Sequence, residues 1–415
     1  MFFFYQIIIL LLLILSPLIL IFKFLNNKEH KKRFFEKFCL IKKKKSRGNL
    51  IWIHAASVGE FMSIIPLIQK LEKNNKINHI LITTSTLSSS KIFAKYKFKK
   101  TFHQFFPIDF FHFSKKFIKH WNPKIAIFID SEIWPSMYKE ISKNSIPLLL
   151  MNARISKRSF QRWKLFHVFT KNIFEKIRIA YPSNTETHNY LKKLNVKRIK
   201  KIGNLKFSDI KIQKKEKFLT SFLKRLDKRL IWCASSTHPN EEKFIAQTHL
   251  ALKKKFENLL TIIIPRHIQR VNEIKDEIKT LGLNVVTRTS NKNIQNETDI
   301  YLVDTYGETK KFFNISKIAF IGGSLIKHGG QNPIEPARYK LNIIHGPHVD
   351  NFKDIYRFFS EKKIAYKIKD LSQLIDCTER LLKKKKNKKI NLKKIGNSIL
   401  KKSIIEINDI LKNEI

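Results

Sequence analysis

Eleven short apolar runs recur along the chain, at 50–54, 80–83, 125–129, 147–151, 177–181, 230–234, 259–265, 283–286, 300–303, 318–321 and 341–344. They are continuous rather than alternating, and longer stretches of helical character separate them. Strands buried on both faces of a parallel sheet read this way, because parallel neighbours need crossover helices that cover the sheet. Eleven runs are too many for one ordinary sheet. The charged stretch 208–229 lacks a strand signal and divides the first five runs from the last six. The pattern predicts an α/β chain of two facing, doubly wound, Rossmann-like domains. The expected boundaries are a membrane anchor over 1–27, a first domain over 28–207, a linker over 208–228 and a second domain over 229–415. Basic helices from residue 371 onward end that second domain. No repeat of solenoid length is visible.

Residues 2–22 are apolar apart from Gln6, Ser16 and Pro17. At about 1.5 Å per residue such a helix crosses a hydrocarbon core of roughly 30 Å. A cleaved leader would need a cation ahead of the run and a small-residue cleavage site; here the first cation is Lys23. The expectation is a retained, single-pass N-terminal transmembrane helix. From 23 to 47 there are eleven cations against Glu29 and Glu36. Such a cluster stays on the cytoplasmic side, so the two domains should face the cytoplasm. Phe34, Phe35, Phe38, Leu40 and Ile41 are interleaved with these cations. That composition suits an interfacial helix on anionic lipid or a solvated basic linker.

The formal charge is +49, from 82 Lys and Arg against 33 Asp and Glu. Nucleic acid or an anionic membrane would attract such a chain. The abundance of Lys, Ile, Asn and Phe, with only 11 Gly, also matches an AT-rich coding bias. No RNP, KH or helix-turn-helix signature accompanies the charge, so no nucleic-acid partner is expected. Three cysteines and no Cys/His cluster exclude a closed disulfide framework and argue against structural zinc.

Two motifs concentrate the chemistry. In the first, the run Ile51-Trp-Ile-His-Ala-Ala-Ser-Val-Gly-Glu60 passes from a strand into a small-residue turn and a helix. Glu60 then stands at a strand's carboxyl end, where doubly wound folds bind ligands and a carboxylate can act as a general base. A first-turn Glu is equally at home beside a helix N-terminus. In the second, 318–337, four of the eleven glycines fall at 322, 323, 329 and 330. Asn332 suits an N-cap and Pro333 a first helical position. The free N–H groups of such a turn would cradle a phosphate, with Glu335 in reach of ribose hydroxyls. The spacing is neither GxGxxG nor a Walker motif. Pro265-Arg266-His267 and Asp304-Thr-Tyr306-Gly307-Glu308 each follow a strand of the second domain and would share the rim of the Gly-rich turn. Asp130 and Glu132, two apart after the run 125–129, suit acid/base work, a metal or ordinary capping. Lys206 is placed to neutralise a phosphate, although most lysines in so basic a chain are solvated.

Taken together the motifs resemble those of the 3-deoxy-D-manno-oct-2-ulosonic acid (Kdo) transferases of lipid A assembly. They are HAASVGE (54–60), SEIWP (131–135), NARIS (152–156), GNLKF (203–207), STHPNEE (236–242), PRH (265–267), DTYGE (304–308), GGSLIKHGGQNPIEPA (322–337) and GPHVDNF (346–352). They appear in family order over nearly the whole chain. The resemblance implies a GT-B fold with a membrane anchor and inverting transfer of Kdo from CMP-Kdo to a tetra-acylated lipid A precursor at the inner membrane. No cofactor and no metal is implied. It assigns Glu60 as the base, and Asp130 and Lys206 to transition-state stabilisation. Pro265, Arg266, Tyr306, Gly307, Glu308, Asn332, Pro333, Ile334 and Glu335 would hold CMP. Asp130 stands where the family usually has Glu. A different nucleotide sugar on the same fold, or a basic nucleic-acid-binding protein, are the alternatives.

Overall fold

The computed structural model describes residues 1–44, 47–208, 218, 220–226, 229–290, 294–384 and 391–413. Most of the expected linker 208–228 lies outside these residues, as do Lys45 of the basic cluster and Lys385 and Lys386 near the C-terminus. The chain divides into two compact units. One is Met1–Ile210 with Lys393–Ile415; the other is Lys211–Leu392.

In the first unit six strands form a parallel sheet: β1 (Leu50–His54), β2 (His79–Thr84), β3 (Thr101–Phe105), β4 (Ile125–Ile129), β5 (Leu148–Ala153) and β6 (Ile179–Pro182). Their order is β3-β2-β1-β4-β5-β6. β1 and β4 are buried along their whole length, as unbroken Ile/Leu/Trp/Phe runs require. Trp52 packs among Phe106, Phe117 and Phe128, and its Nε1–H donates to Thr83 Oγ1 at 2.9 Å. The edge strand β3 carries no apolar run. Its Thr101, His103 and Gln104 break the pattern, and only tertiary pairing with β2 makes it a strand.

The second unit has seven parallel strands: β7 (Leu230–Thr237), β8 (Leu259–Pro265), β9 (Val285–Thr287), β10 (Ile300–Leu302), β11 (Ile318–Ile321), β12 (Asn342–His345) and β13 (Ala365–Lys367). Their order is β13-β12-β11-β7-β8-β10-β9. The edge strand β13, Ala365-Tyr366-Lys367, buries only its first residue and so leaves no apolar run in the sequence.

Two expectations are corrected. The N-terminal run is not one spanning helix. It forms Phe2–Ile14 and Ser16–Leu25 with a 51° bend, and no single helix among the described residues is long and apolar enough to cross a membrane. Pro17 lacks an N–H and its ring opposes the carbonyl four residues back, which breaks the ladder there. The pair together has the length and composition of a broken span. The C-terminal helix Leu392–Asn413, expected in the second domain, belongs with the first unit. Its Ile399, Leu400, Ile407 and Ile410 are buried, and Glu406 accepts from Tyr181 Oη and Lys200 Nζ at 2.8 Å each. An apolar stripe in a sequence does not say which unit will cover it.

The basic segment also packs down rather than forming an amphipathic α-helix. Phe34–Phe38 is a 3-10 turn, Arg33 pairs with Glu36 at 2.7 Å and donates to His103 O at 2.9 Å, and Cys39 is fully buried.

Candidate active site

The first sheet reverses its strand order between β1 and β4, and two clusters of the sequence motifs meet there. After β1 the chain turns through Ala55-Ala56-Ser57 into the helix Val58–Leu71. Ser57 caps that helix, its Oγ accepting from Glu60 N at 3.3 Å. Glu60 reaches back, accepting from Ala56 N and Ser57 Oγ at 2.8 Å each. This is a capping-box arrangement, so the ordinary first-turn role is present. The environment adds a second property. Burial, reinforced by the Glu132 and Asp130 carboxylates, pushes the Glu60 carboxyl up to about 7. A carboxyl titrating there is poised to exchange a proton at cellular pH.

Asp130 follows β4 in the left-handed region at φ 64°, held by Asp130 N to Met151 O at 3.0 Å and Arg154 N to Asp130 O at 3.2 Å. A non-glycine residue there is strained, and the two ladder bonds hold it. Burial raises its carboxyl pKa, opposed by the Lys206 and Arg154 cations. Lys206 arrives because Asn152 Oδ1 accepts from Leu205 N at 3.0 Å, fastening the 203–207 loop to the end of β5. So Glu60, Asp130 and Lys206 gather around one switch point.

Sequence reasoning missed the partner of Glu132. Its Oε2 lies 3.3 Å from Nε2 of buried His54 and accepts from Trp134 Nε1 at 2.8 Å. Burial disfavours ionised Glu132, but those two partners outweigh it and hold its carboxyl below the ordinary value. The signal was in plain view: His54 ends the first motif and Glu132 opens SEIWP, but only adjacent strands bring them together.

In the second unit the reversal falls between β7 and β11. Gly322 sits so close to β7 that a Cβ there would meet Ser236 O at 2.3 Å. The turn that follows differs from expectation. Its amides are not free: Gly323, Ser324 and Leu325 N–H donate to the Glu241 carboxylate at 2.7, 3.0 and 2.9 Å. A buried side chain from STHPNEE fills the position the sequence reading reserved for a phosphate. The Asn332-Pro333 step is also shifted. The short helix is Ile334–Arg338, with Asn332 Oδ1 accepting from Ile334 N at 3.0 Å.

Around this turn the strand ends carry an exposed arginine and a cluster of histidines. Arg266 follows β8 with its N–H donating to Thr237 O at 3.0 Å and its side chain in solvent. His238 is buried beside His328 and His267, with ring centroids 4.2 and 6.0 Å away. Burial, then those neighbours, push its pKa down to about 4. After β10, Tyr306 is 65% exposed and Gly307 turns at φ 86°. Glu308 is tied inward by Arg288 at 3.0 Å, Lys311 at 3.0 Å and Thr305 Oγ1 at 2.6 Å. Burial opposes its charge, but Arg288 and the others hold the carboxyl at about 2. Glu335 lies 3.6 Å from Lys310. Pro265, Arg266, Tyr306, Gly307 and the 332–335 segment thus stand at the carboxyl-end side of one parallel sheet.

Two doubly wound parallel-sheet units define the GT-B-like class. The structural likeness agrees: a putative UDP-N-acetylglucosamine 2-epimerase from Listeria monocytogenes matches 88% of this chain and 98% of its own at a TM-score of 0.59, with 11% identity, which speaks for fold alone. Residues 32–209 match the family described as 3-deoxy-D-manno-octulosonic-acid transferase (kdotransferase). The 3-deoxy-D-manno-octulosonic acid transferase of Rickettsia felis is 36% identical over 85% of this chain and 75% of its own length. That of Haemophilus influenzae is 32% identical over 84% and 82%. The chain belongs to the 3-deoxy-D-manno-octulosonic acid transferase family and is a glycosyltransferase.

Proposed function

We propose that this enzyme moves Kdo from CMP-Kdo to a lipid A precursor, in the first unit by proton removal at Glu60 and in the second by capture of CMP. Glu60 takes the proton of the acceptor hydroxyl. The oxygen attacks the anomeric carbon of the donor as the bond from that carbon to the CMP phosphate oxygen breaks. CMP leaves with the electron pair, and the configuration inverts. Asp130 and Lys206 steady the charge that develops in the transition state. Pro265, Arg266, Tyr306, Gly307, Glu308 and 332–335 hold the nucleotide. Arg266 meets the phosphate, and Glu308 acts by keeping its loop in place through Arg288 and Lys311.

The observation that carries this reading is the Glu60 carboxyl, titrating at about 7 at the switch point of the first sheet. A group there is basic enough to take a proton and is present in both its ionised and protonated forms at cellular pH. The apolar pair Phe2–Ile14 and Ser16–Leu25, followed by the cation cluster, supports an anchor in the inner membrane with both units on the cytoplasmic side. Anionic lipids are then its neighbours, and a lipid-borne acceptor accounts for an anchored enzyme.

The test is transfer itself. Purified protein in detergent, with CMP-Kdo generated in situ and tetra-acylated lipid A precursor, is expected to add one or more Kdo masses to the lipid. Intact CMP-Kdo and unchanged lipid with folded protein would overturn the reading, and competition between CMP and UDP would then identify the donor.

A further inference from the structure

The corner between the helices Lys157–Leu165 and His167–Phe174 of the first unit is exposed in an unusual way. Leu165 is 76% exposed, Phe166 50% and Val168 73%. Single exposed apolar side chains are ordinary; three within four positions form a patch that calls for a partner. The corner is well braced. Thr170 N donates to Phe166 O at 2.9 Å, Thr170 Oγ1 donates to Trp163 O at 2.6 Å, and the Trp163 ring packs on Phe174 at 5.3 Å. The apolar tips therefore face solvent on a built support.

Charge identifies the partner. Lys157, Arg158, Arg162, Lys164 and Lys171 flank the tips, all exposed, and no acidic residue occurs from 157 to 174. The nearest following acid, Glu175, lies 3.9 Å from Lys171. Apolar tips ringed by one sign of charge are the composition of a membrane-interface element, with apolar groups entering the acyl boundary and cations at the headgroups. Continuity points the same way. The Phe169 ring lies 6.3 Å from that of Tyr5 in the apolar N-terminal helix. That helix is fastened to the same unit by Tyr5 Oη to Asp109 Oδ2 and Gln6 Nε2 to Ser136 Oγ, each 2.7 Å.

We propose that this elbow is a second membrane contact, inserting Leu165, Phe166 and Val168 into the interface of an anionic phospholipid bilayer. It rests on the proposed anchoring of the N-terminal segment, and adds a site that fixes how the first unit sits on the lipid. The basic segment 28–44 is only partly packed onto the domain: Glu29 and Cys39 are buried, while Phe35 and Leu40 remain exposed beside its lysines.

The three native cysteines are buried, so a thiol introduced on the surface labels selectively. The full-length Val168→Cys protein, labelled with bimane, is reconstituted into vesicles of phosphatidylethanolamine and phosphatidylglycerol with and without shallow doxyl-lipid. Lys254→Cys, on the exposed surface of the second unit, is the control. The probe at 168 is expected to shift to the blue and lose about half its emission to doxyl-lipid, while that at 254 does neither. Emission at 168 that stays water-like and unquenched in reconstituted protein overturns the proposal, whether the elbow is bare or covered by a protein. Kdo transfer is measured on the same sample. Quenching without transfer would overturn the transferase reading and leave the elbow standing; transfer without quenching would do the reverse. As a second arm, Leu165→Asp with Val168→Asp is expected to raise KM for vesicle-borne acceptor roughly tenfold at unchanged kcat and CMP affinity. An unchanged KM counts against the elbow.

Discussion

In the first unit the strand order reverses between β1 and β4, and there Glu60, Asp130 and Glu132 cluster around partly buried carboxyls. In the second it reverses between β7 and β11, and there buried Glu241 is consumed by the turn's own amides, buried Glu242 pairs with Arg270 at 3.1 Å, and Arg266 stands exposed after β8. Both sheets make a ligand position by the same topology. What differs is how each treats negative charge. The first holds a carboxyl pushed up to about 7; the second engages its carboxylates internally, Glu241 on the turn's amides and Glu242 on Arg270, and leaves Arg266 exposed. On the proposed function, one architecture serves as proton acceptor in the first unit and as anion holder in the second, through different strand-end residues.

The largest effect that would break this contrast is on Glu60. Glu60→Gln keeps the cap geometry but removes the base, and is expected to lower kcat by about 10³-fold with CMP affinity intact. Activity within tenfold of the parent would remove the base assignment. Next is Glu241→Ala, which leaves Gly323, Ser324, Leu325 and His238 N–H without their acceptor. A loss of about 3 kcal/mol in denaturant unfolding of the second unit is expected. An unchanged midpoint would mean that the turn does not depend on its internal carboxylate. Arg266→Ala is expected to weaken CMP binding about tenfold in calorimetry, with Arg266→Lys recovering part of it. Equal affinity in all three would place the phosphate elsewhere.

The smallest effect concerns pH, and its sign is informative. Glu60 binds its proton more tightly folded than unfolded, so its contribution to stability is complete below about 4.5 and is lost as pH rises towards about 7. Glu60→Gln is therefore expected to gain melting temperature on the parent between pH 5 and pH 8. Over the same range the parent's kcat/KM should climb with pH and level off above about 7. A flat profile would separate Glu60 from the proton transfer.

Much of the fold was legible because buried parallel strands leave continuous apolar runs, and the eleven runs correspond to eleven of the thirteen strands among the described residues. β3 and β13 escaped because both are edge strands interrupted by polar, partly wetted residues, which carry little local signal. The site residues stood in motifs, so their candidacy was visible. Their partners were not. Nothing local joins His54 to Glu132, Asn152 to Leu205, or Glu241 to a turn more than eighty positions away.

By itself the sequence determined the alternation of strand and helix, the division into two α/β units, the strand-end placement of Glu60, Asp130 and Arg266, and the first-turn placement of Glu335. These follow from side-chain periodicity and turn chemistry, which act over a few residues. Tertiary structure alone decided that the C-terminal helix returns to the first unit and that the Gly-rich turn is filled by Glu241. It also decided that Glu60 titrates at about 7. Desolvation and hydrogen bonding depend on which groups a chain brings together in space, and residues far apart in sequence supply them.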